Sequence, residues 1–119
     1  FSIQEIIERY QPDEVAMEEV FINVNAAASL MLGQARGALM AAVVLKKLPI
    51  YEYSALQVKK AVVGKGKARK EQVQLMVKQL LILSQAPSVD AADALATALA
   101  HIFQCHNSII SIARKGYQA

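Results

Sequence analysis

Residues 25–47 run without a proline and are rich in Ala, Leu and Met. Such side chains lose little freedom in a helix, so the stretch predicts one long helix of roughly 30 Å at 1.5 Å per residue. Two short segments of strand character bracket it, residues 14–17 before and 49–53 after. A strand, a helix and a second strand in succession point to α/β architecture. Gly33 and Gly37 lie four apart inside the helix. Each costs about 1 kcal/mol there, which close approach of another element to that face would offset. The alternatives for that face are a dimer contact and packing on the chain's own sheet.

Further elements follow from local signals. Ile3, Ile6, Ile7 and Tyr10 recur at helical spacing, with Ser2 able to cap the start and Pro12 marking the stop. Ser54 can cap a helix running towards Val62, and residues 63–67 read as a flexible glycine turn. An amphipathic helix is expected over 70–83, with Val73, Met76, Val77, Leu80 and Leu81 on one face. Pro87 breaks the chain and Ser88 caps a last helix, whose buried side is expected at Ala92, Leu95, Ala96, Leu99 and Phe103. Residues 1–106 then form one domain, and 107–119 a polar, mixed tail free to fray.

Composition excludes several classes. With 55% hydrophobic residues the chain can build a core, so it is not wholly disordered. The single cysteine, Cys105, cannot form an internal disulfide, and two histidines with one cysteine do not make a zinc finger of the usual spacing. No apolar run approaches the roughly 20 residues that span a bilayer, and the start shows no secretory pattern. A reducing cytoplasmic setting is expected. The chain opens on Phe1 rather than Met, which suggests a fragment of something longer.

The charge is polarised. Through Val58 there are seven acids and four bases; from Lys59 onward there are nine bases and three acids. Lys59, Lys60, Lys65, Lys67, Arg69 and Lys70 fall in twelve residues that hold no acid. Such a segment attracts phosphates and releases counterions on binding; the plainer alternative is a solvated loop. The Gly64-x-Gly66 turn lacks the third glycine of a phosphate-binding fingerprint and reads as a hinge. Cys105, near His101 and His106, is read as a small core residue rather than a nucleophile.

Three acids carry more information. Asp90 and Asp93 are three apart near a helix start, so they are neighbours on its surface. On spacing alone, favourable charge at the positive helix end is the preferred explanation. Small residues surround them in the run Asp90-Ala91-Ala92-Asp93-Ala94-Leu95-Ala96, leaving room for a metal, a phosphate or a packed element. Glu18 ends a buried strand, where ligands bind in open α/β sheets; taken alone, it reads equally well as an ordinary surface acid. Three carboxylates meeting there would suit Mg²⁺.

Four stretches carry a resemblance: Ala16-Met17-Glu18-Glu19-Val20-Phe21, Leu32-Gly33-Gln34-Ala35-Arg36-Gly37, Val58-Lys59-Lys60-Ala61-Val62-Val63-Gly64 and the Asp90–Ala96 run. In this order and spacing the sequence resembles the RuvC family of Holliday junction resolvases. The resemblance implies an α/β, RNase H-like fold lacking its first strands, with a long central helix. It implies a homodimer with Mg²⁺-dependent endonuclease activity on four-way DNA junctions, in recombination and repair. Two Mg²⁺ per site are implied, with Mn²⁺ able to substitute, and the RuvA-RuvB branch-migration complex as a partner.

Of the family's four acids, three match Glu18, Asp90 and Asp93, implying catalytic and metal-binding roles. The fourth lies in a Gly-Ile-Asp-Pro-Gly-like segment that this sequence does not contain, so the 119 residues alone are expected to be inactive. Lys59 and Lys70 match lysines that approach DNA near the cut, with Lys65, Lys67 and Arg69 beside them. Phe21 matches an aromatic that acts on bases at the junction centre. Val24 and Met31 stand where lysine is common, so the loop after Phe21 is less basic. A non-catalytic DNA-binding dimer and another RNase H-like or transposase-like nuclease are the competing readings.

Overall fold

The computed structural model describes residues 2–19 and 26–117. In chain order the elements are α1 (Ile3–Tyr10), β1 (Val15–Glu18), α2 (Ala26–Leu45), β2 (Ile50–Tyr53), α3 (Ala55–Val63), α4 (Lys70–Leu80) and α5 (Val89–Tyr117). They form two compact units, Phe1–Glu52 and Tyr53–Ala119.

In the first unit Ser2 caps α1, its Oγ accepting from the Glu5 N–H at 3.3 Å. Gln11 closes the helix in the left-handed region, φ 47°. The apolar stripe is only partly covered: Ile7 is buried, while Ile6 and Tyr10 are exposed. β1 and β2 pair into a two-stranded sheet. The Val15 N–H donates to the Pro49 carbonyl at 3.0 Å, so the starts of the two strands lie side by side. That is the parallel arrangement a helical crossover through α2 requires.

α1 packs on α2, and Lys46 Nζ donates to Glu8 Oε1 at 2.7 Å. The hydrogen bond and the charge of Lys46 hold the Glu8 carboxyl below the usual carboxylate range. The pair's small contribution is present at neutral pH and is lost as pH falls through that lowered value. Val43 is buried in the same unit, but Leu30, Met31, Leu32, Val44 and Leu45 are exposed. The close approach expected at the two helix glycines is absent among the described residues. A Cβ at Gly33 or Gly37 would meet nothing within 4 Å.

The second unit is a three-helix assembly in which α3, α4 and α5 pack on one another. Ser54 and Gln57 form a reciprocal cap at the start of α3, with bonds of 3.1 and 2.8 Å. Gly64 ends α3 at φ 89°, its N–H donating to the Lys60 carbonyl at 3.0 Å. The first glycine of the expected hinge is therefore a helix cap. Val58, Val62, Val73, Val77, Ala92, Ala96, Leu99 and Ala100 form the buried core. Leu95 and Phe103, expected inside, are half-buried. α5 continues to Tyr117, through residues read from sequence as the start of a tail. No proline interrupts 107–117, and Ile109, Ile110, Ile112 and Ala113 keep a helical pattern going.

α4 stops at Leu80, three residues before the expected end. The Leu83 N–H donates to the Lys78 carbonyl at 2.9 Å, which turns the chain with Ile82 at φ 53°. This is a Schellman-type cap with a β-branched residue where glycine is normal. The left-handed region costs such a residue roughly 1–2 kcal/mol, and Ile82 is 90% exposed, so burial returns nothing. Replacing Ile82 with Gly is expected to stabilise the protein by about 0.5–1 kcal/mol after glycine's own entropic cost. Chemical denaturation of both proteins reads the shift; an unchanged or lower midpoint would show that Ile82 is not strained.

Candidate active site

Glu18 is the last residue of β1 and is exposed. It lines an open cavity of about 290 Å³ with Met17, Leu32, Ala35, Arg36 and Leu39. The walls are thus the end of β1 and one face of α2, an apolar frame around one carboxylate and one guanidinium.

Asp90 and Asp93 occupy the first turns of α5, both exposed. Three local bonds fix that helix start. Ser88 Oγ accepts from the Ala91 N–H at 3.3 Å. The Gln74 side-chain amide on α4 donates to the Pro87 carbonyl at 3.0 Å. Thr97 Oγ1, on a buried residue, donates to the Asp93 carbonyl at 2.8 Å. The structure thus brings Asp90 and Asp93 together on one helix, while Glu18 stands in the other unit. The alanines of the motif divide by role: Ala92 and Ala96 are buried against the helical core, while Ala91 and Ala94 are exposed beside the acids. Exposed carboxylates are hard oxygen donors with sites left for water, the donor set that suits Mg²⁺ or Mn²⁺.

Further along α5, His101 is buried and its Nδ1 shares a 2.5 Å hydrogen bond with the Tyr53 hydroxyl. Cys105 Sγ lies 3.6–3.8 Å from the same ring. Cys105 is half-buried, at the margin of the core rather than inside it as the sequence reading expects.

The basic residues run from the second half of α3 through the connection to the start of α4. Lys60, Lys65, Lys67, Arg69 and Lys70 are exposed and Lys59 is half-buried. Arg69 immediately precedes α4, where the Gln72 side chain accepts from its N–H at 2.8 Å, and Lys70 is the first helical residue. A helix start already carries partial positive charge, so two bases there raise a field that favours an anion. Phe21 lies outside the described residues. Arg36 and Glu52 form an ion pair at 2.8 Å beside the Glu18 cavity. Arg36 was legible only as part of a motif, because its partner is sixteen residues away.

This frame, a parallel strand pair joined through a long helix and followed by packed helices, is an α/β fold of RNase H-like type. The family profile described as "Crossover junction endodeoxyribonuclease RuvC" matches residues 1–101, and the chain belongs to that family. A protein of that name from Chromobacterium violaceum is 59% identical over 115 residues, covering 97% of this chain and 65% of its own length. One from Neisseria meningitidis serogroup C is 57% identical over 116 residues, covering 98% and 65%. Among solved structures, Thermus thermophilus RuvC in complex with Holliday junction substrate superposes with a TM-score of 0.81 at 40% identity. That match covers 88% of this chain and 64% of that one. A second structure of Thermus thermophilus RuvC gives a TM-score of 0.72 at 39% identity, covering 86% and 60%. The chain thus spans about 65% of the length of the curated relatives it matches. Among the described residues, no helix is long and apolar enough to cross a membrane.

Proposed function

We propose that this chain serves, within its full-length protein, as a divalent-ion-dependent endonuclease that resolves four-way DNA junctions by paired phosphodiester cuts. The observation that carries this reading is the family match across residues 1–101. In this reading Glu18, Asp90 and Asp93 hold Mg²⁺, two ions per site, with Mn²⁺ able to replace them. When bound, such ions make a water nucleophilic near neutral pH and stabilise charge on the leaving 3′ oxygen.

The chain's own residues do the rest. Apolar Met17, Leu32 and Leu39 line the same open cavity as Glu18. The bonds at Ser88, Pro87 and Thr97 hold the first turns of α5, and with them Asp90 and Asp93. Lys59 and Lys70 offset charge developing on the scissile phosphate, while Lys65, Lys67 and Arg69 hold the flanking backbone. Phe21 stacks on a base at the junction centre. The acid that the resemblance places on an earlier strand completes the site, so residues 1–119 by themselves do not cut.

A four-way junction needs two symmetric cuts, which a C2 dimer supplies. The exposed apolar side chains of α2, with Gly33 and Gly37 open between them, favour that helix as the dimer face. The RuvA-RuvB complex is the partner in this reading, in the cytoplasm.

The test is a salt and metal series with the full-length protein on a four-way junction. Two symmetry-related nicks are expected with Mg²⁺ and none with EDTA. Lys59→Ala and Lys70→Ala each weaken binding and reduce the magnitude of the salt slope by about one unit. Tight binding with no cutting under any divalent ion would leave a binding module instead.

A further inference from the structure

The connection from α3 to α4 reads from sequence as a glycine hinge, yet the structure fixes it along its length. Gly64 caps α3, its N–H donating to the Lys60 carbonyl. Ala68 is buried, at 5% exposure. The Arg69 N–H donates to the Gln72 side chain on α4 at 2.8 Å. Gly66 supplies a further point. A Cβ placed there would overlap Leu56 Cδ1, near the start of α3, and lie 3.3 Å from its Cγ. Gly66 thus rests directly on the Leu56 side chain, closer than a residue with a Cβ can come. Leu56 is 59% exposed, so core burial does not account for a leucine at this position. Among these fixed points Lys65, Lys67 and Arg69 stay exposed.

We infer that Leu56 and Gly66 are positioning residues for DNA binding: their contact seats the connection, so that Lys65, Lys67 and Arg69 are in place before DNA arrives. The inference rests on the reading of those three cations as contacts to the DNA backbone. A loose connection has to be ordered on binding, at an entropic cost; a seated one is ordered already. The seat leaves the cations themselves unchanged. Its loss therefore lowers affinity without changing how many phosphates are neutralised, whereas loss of a lysine lowers affinity and salt slope together. Substitution of either partner removes the same contact. A larger residue at position 66 either lifts the connection or turns Leu56 aside, and Leu56→Ala leaves nothing beneath Gly66.

The experiment measures four-way junction affinity of the full-length protein against salt in EDTA, with trypsin nicking of the DNA-free protein and melting temperature on the same preparation. Leu56→Ala and Gly66→Val are each expected to weaken junction binding about three- to tenfold and to keep the wild-type salt slope. The double variant weakens it no more than the stronger single variant, because both remove one contact. Trypsin cuts after Lys65 or Lys67 about fivefold faster or more in either single variant, since nicking follows the population of the opened segment. Lys65→Ala combined with Lys67→Ala lowers the magnitude of the salt slope by about two units. Wild-type nicking and affinity in Leu56→Ala would overturn the seat alone and leave the lysine contacts standing. So would single effects that multiply in the double variant, or affinity losses that match the unfolded fraction. If Gly66→Val does not fold, Leu56→Ala decides by itself, at an exposed position that tolerates truncation. Wild-type affinity and slope in the double lysine variant would refute the reading of those lysines as backbone contacts, and the role of the seat with it, whatever the nicking shows.

Discussion

In the full-length protein, Glu18→Gln, Asp90→Asn and Asp93→Asn are each expected to lower Mg²⁺-dependent junction cutting by about a hundredfold or more. Junction affinity should stay within about threefold of wild type. The amides keep the size and shape of the acids but lose the charge that binds a hard cation. All three acids are exposed and none is part of the buried core, so folding should be little affected. Surface substitutions of this kind usually change stability by no more than about 0.5 kcal/mol. DNA affinity comes mainly from cations on the phosphate backbone, which these variants leave in place. Cleavage within a few-fold of wild type by any one of them would remove that residue from the site. A large fall in melting temperature would show instead that its carboxylate is structural.

The elements that were readable in advance are those with a local cause. Ser2, Ser54 and Ser88 cap their helices through bonds to residues three positions on, a distance a sequence displays directly. β1 and the two aspartates on α5 were legible for the same reason: a short apolar run after a Pro-Asp turn and i, i+3 spacing are short-range patterns. The C-terminus of α4 was not. Residues 80–83 are all apolar and read as more helix, yet the chain turns at a left-handed Ile82 with no glycine to announce it. Burial was legible in period but not in depth. On α5 the most deeply buried positions are the small ones, Ala92, Ala96 and Ala100; Leu99 is buried as expected, while Leu95 and Phe103 sit at the margin. Long-range pairs were out of reach. Tyr53 and His101 are 48 residues apart and Arg36 and Glu52 sixteen apart, and no spacing rule connects them.

The buried alanines of α5 carry the second large expectation. Ala92, Ala96 and Ala100 recur every four residues, with exposures of 1%, 0% and 2%. That spacing makes one smooth stripe along the helix, and α3 and α4 both pack on α5. With only methyl groups in the stripe, the neighbouring backbones can come close; a longer side chain would have to push them apart. Ala96→Leu adds three carbons to a position with no exposed surface and is expected to cost about 1–3 kcal/mol through off-rotamer packing and helix displacement. Ala94→Leu, at an exposed position two residues away, serves as the control and should change stability by less than about 0.5 kcal/mol. The proposed function adds a second readout. Asp93 lies one turn before Ala96, and the buried Thr97 holds the Asp93 carbonyl, so a displaced helix moves the carboxylates with it. Misplacement on the scale of 1 Å lowers catalysis by about a hundredfold. Ala96→Leu in the full-length protein should therefore lose far more cutting than its unfolded fraction explains, when melting temperature and cleavage are measured on one preparation below the transition. If cutting falls only in proportion to the unfolded population, the stripe serves packing alone and the acids are positioned from elsewhere.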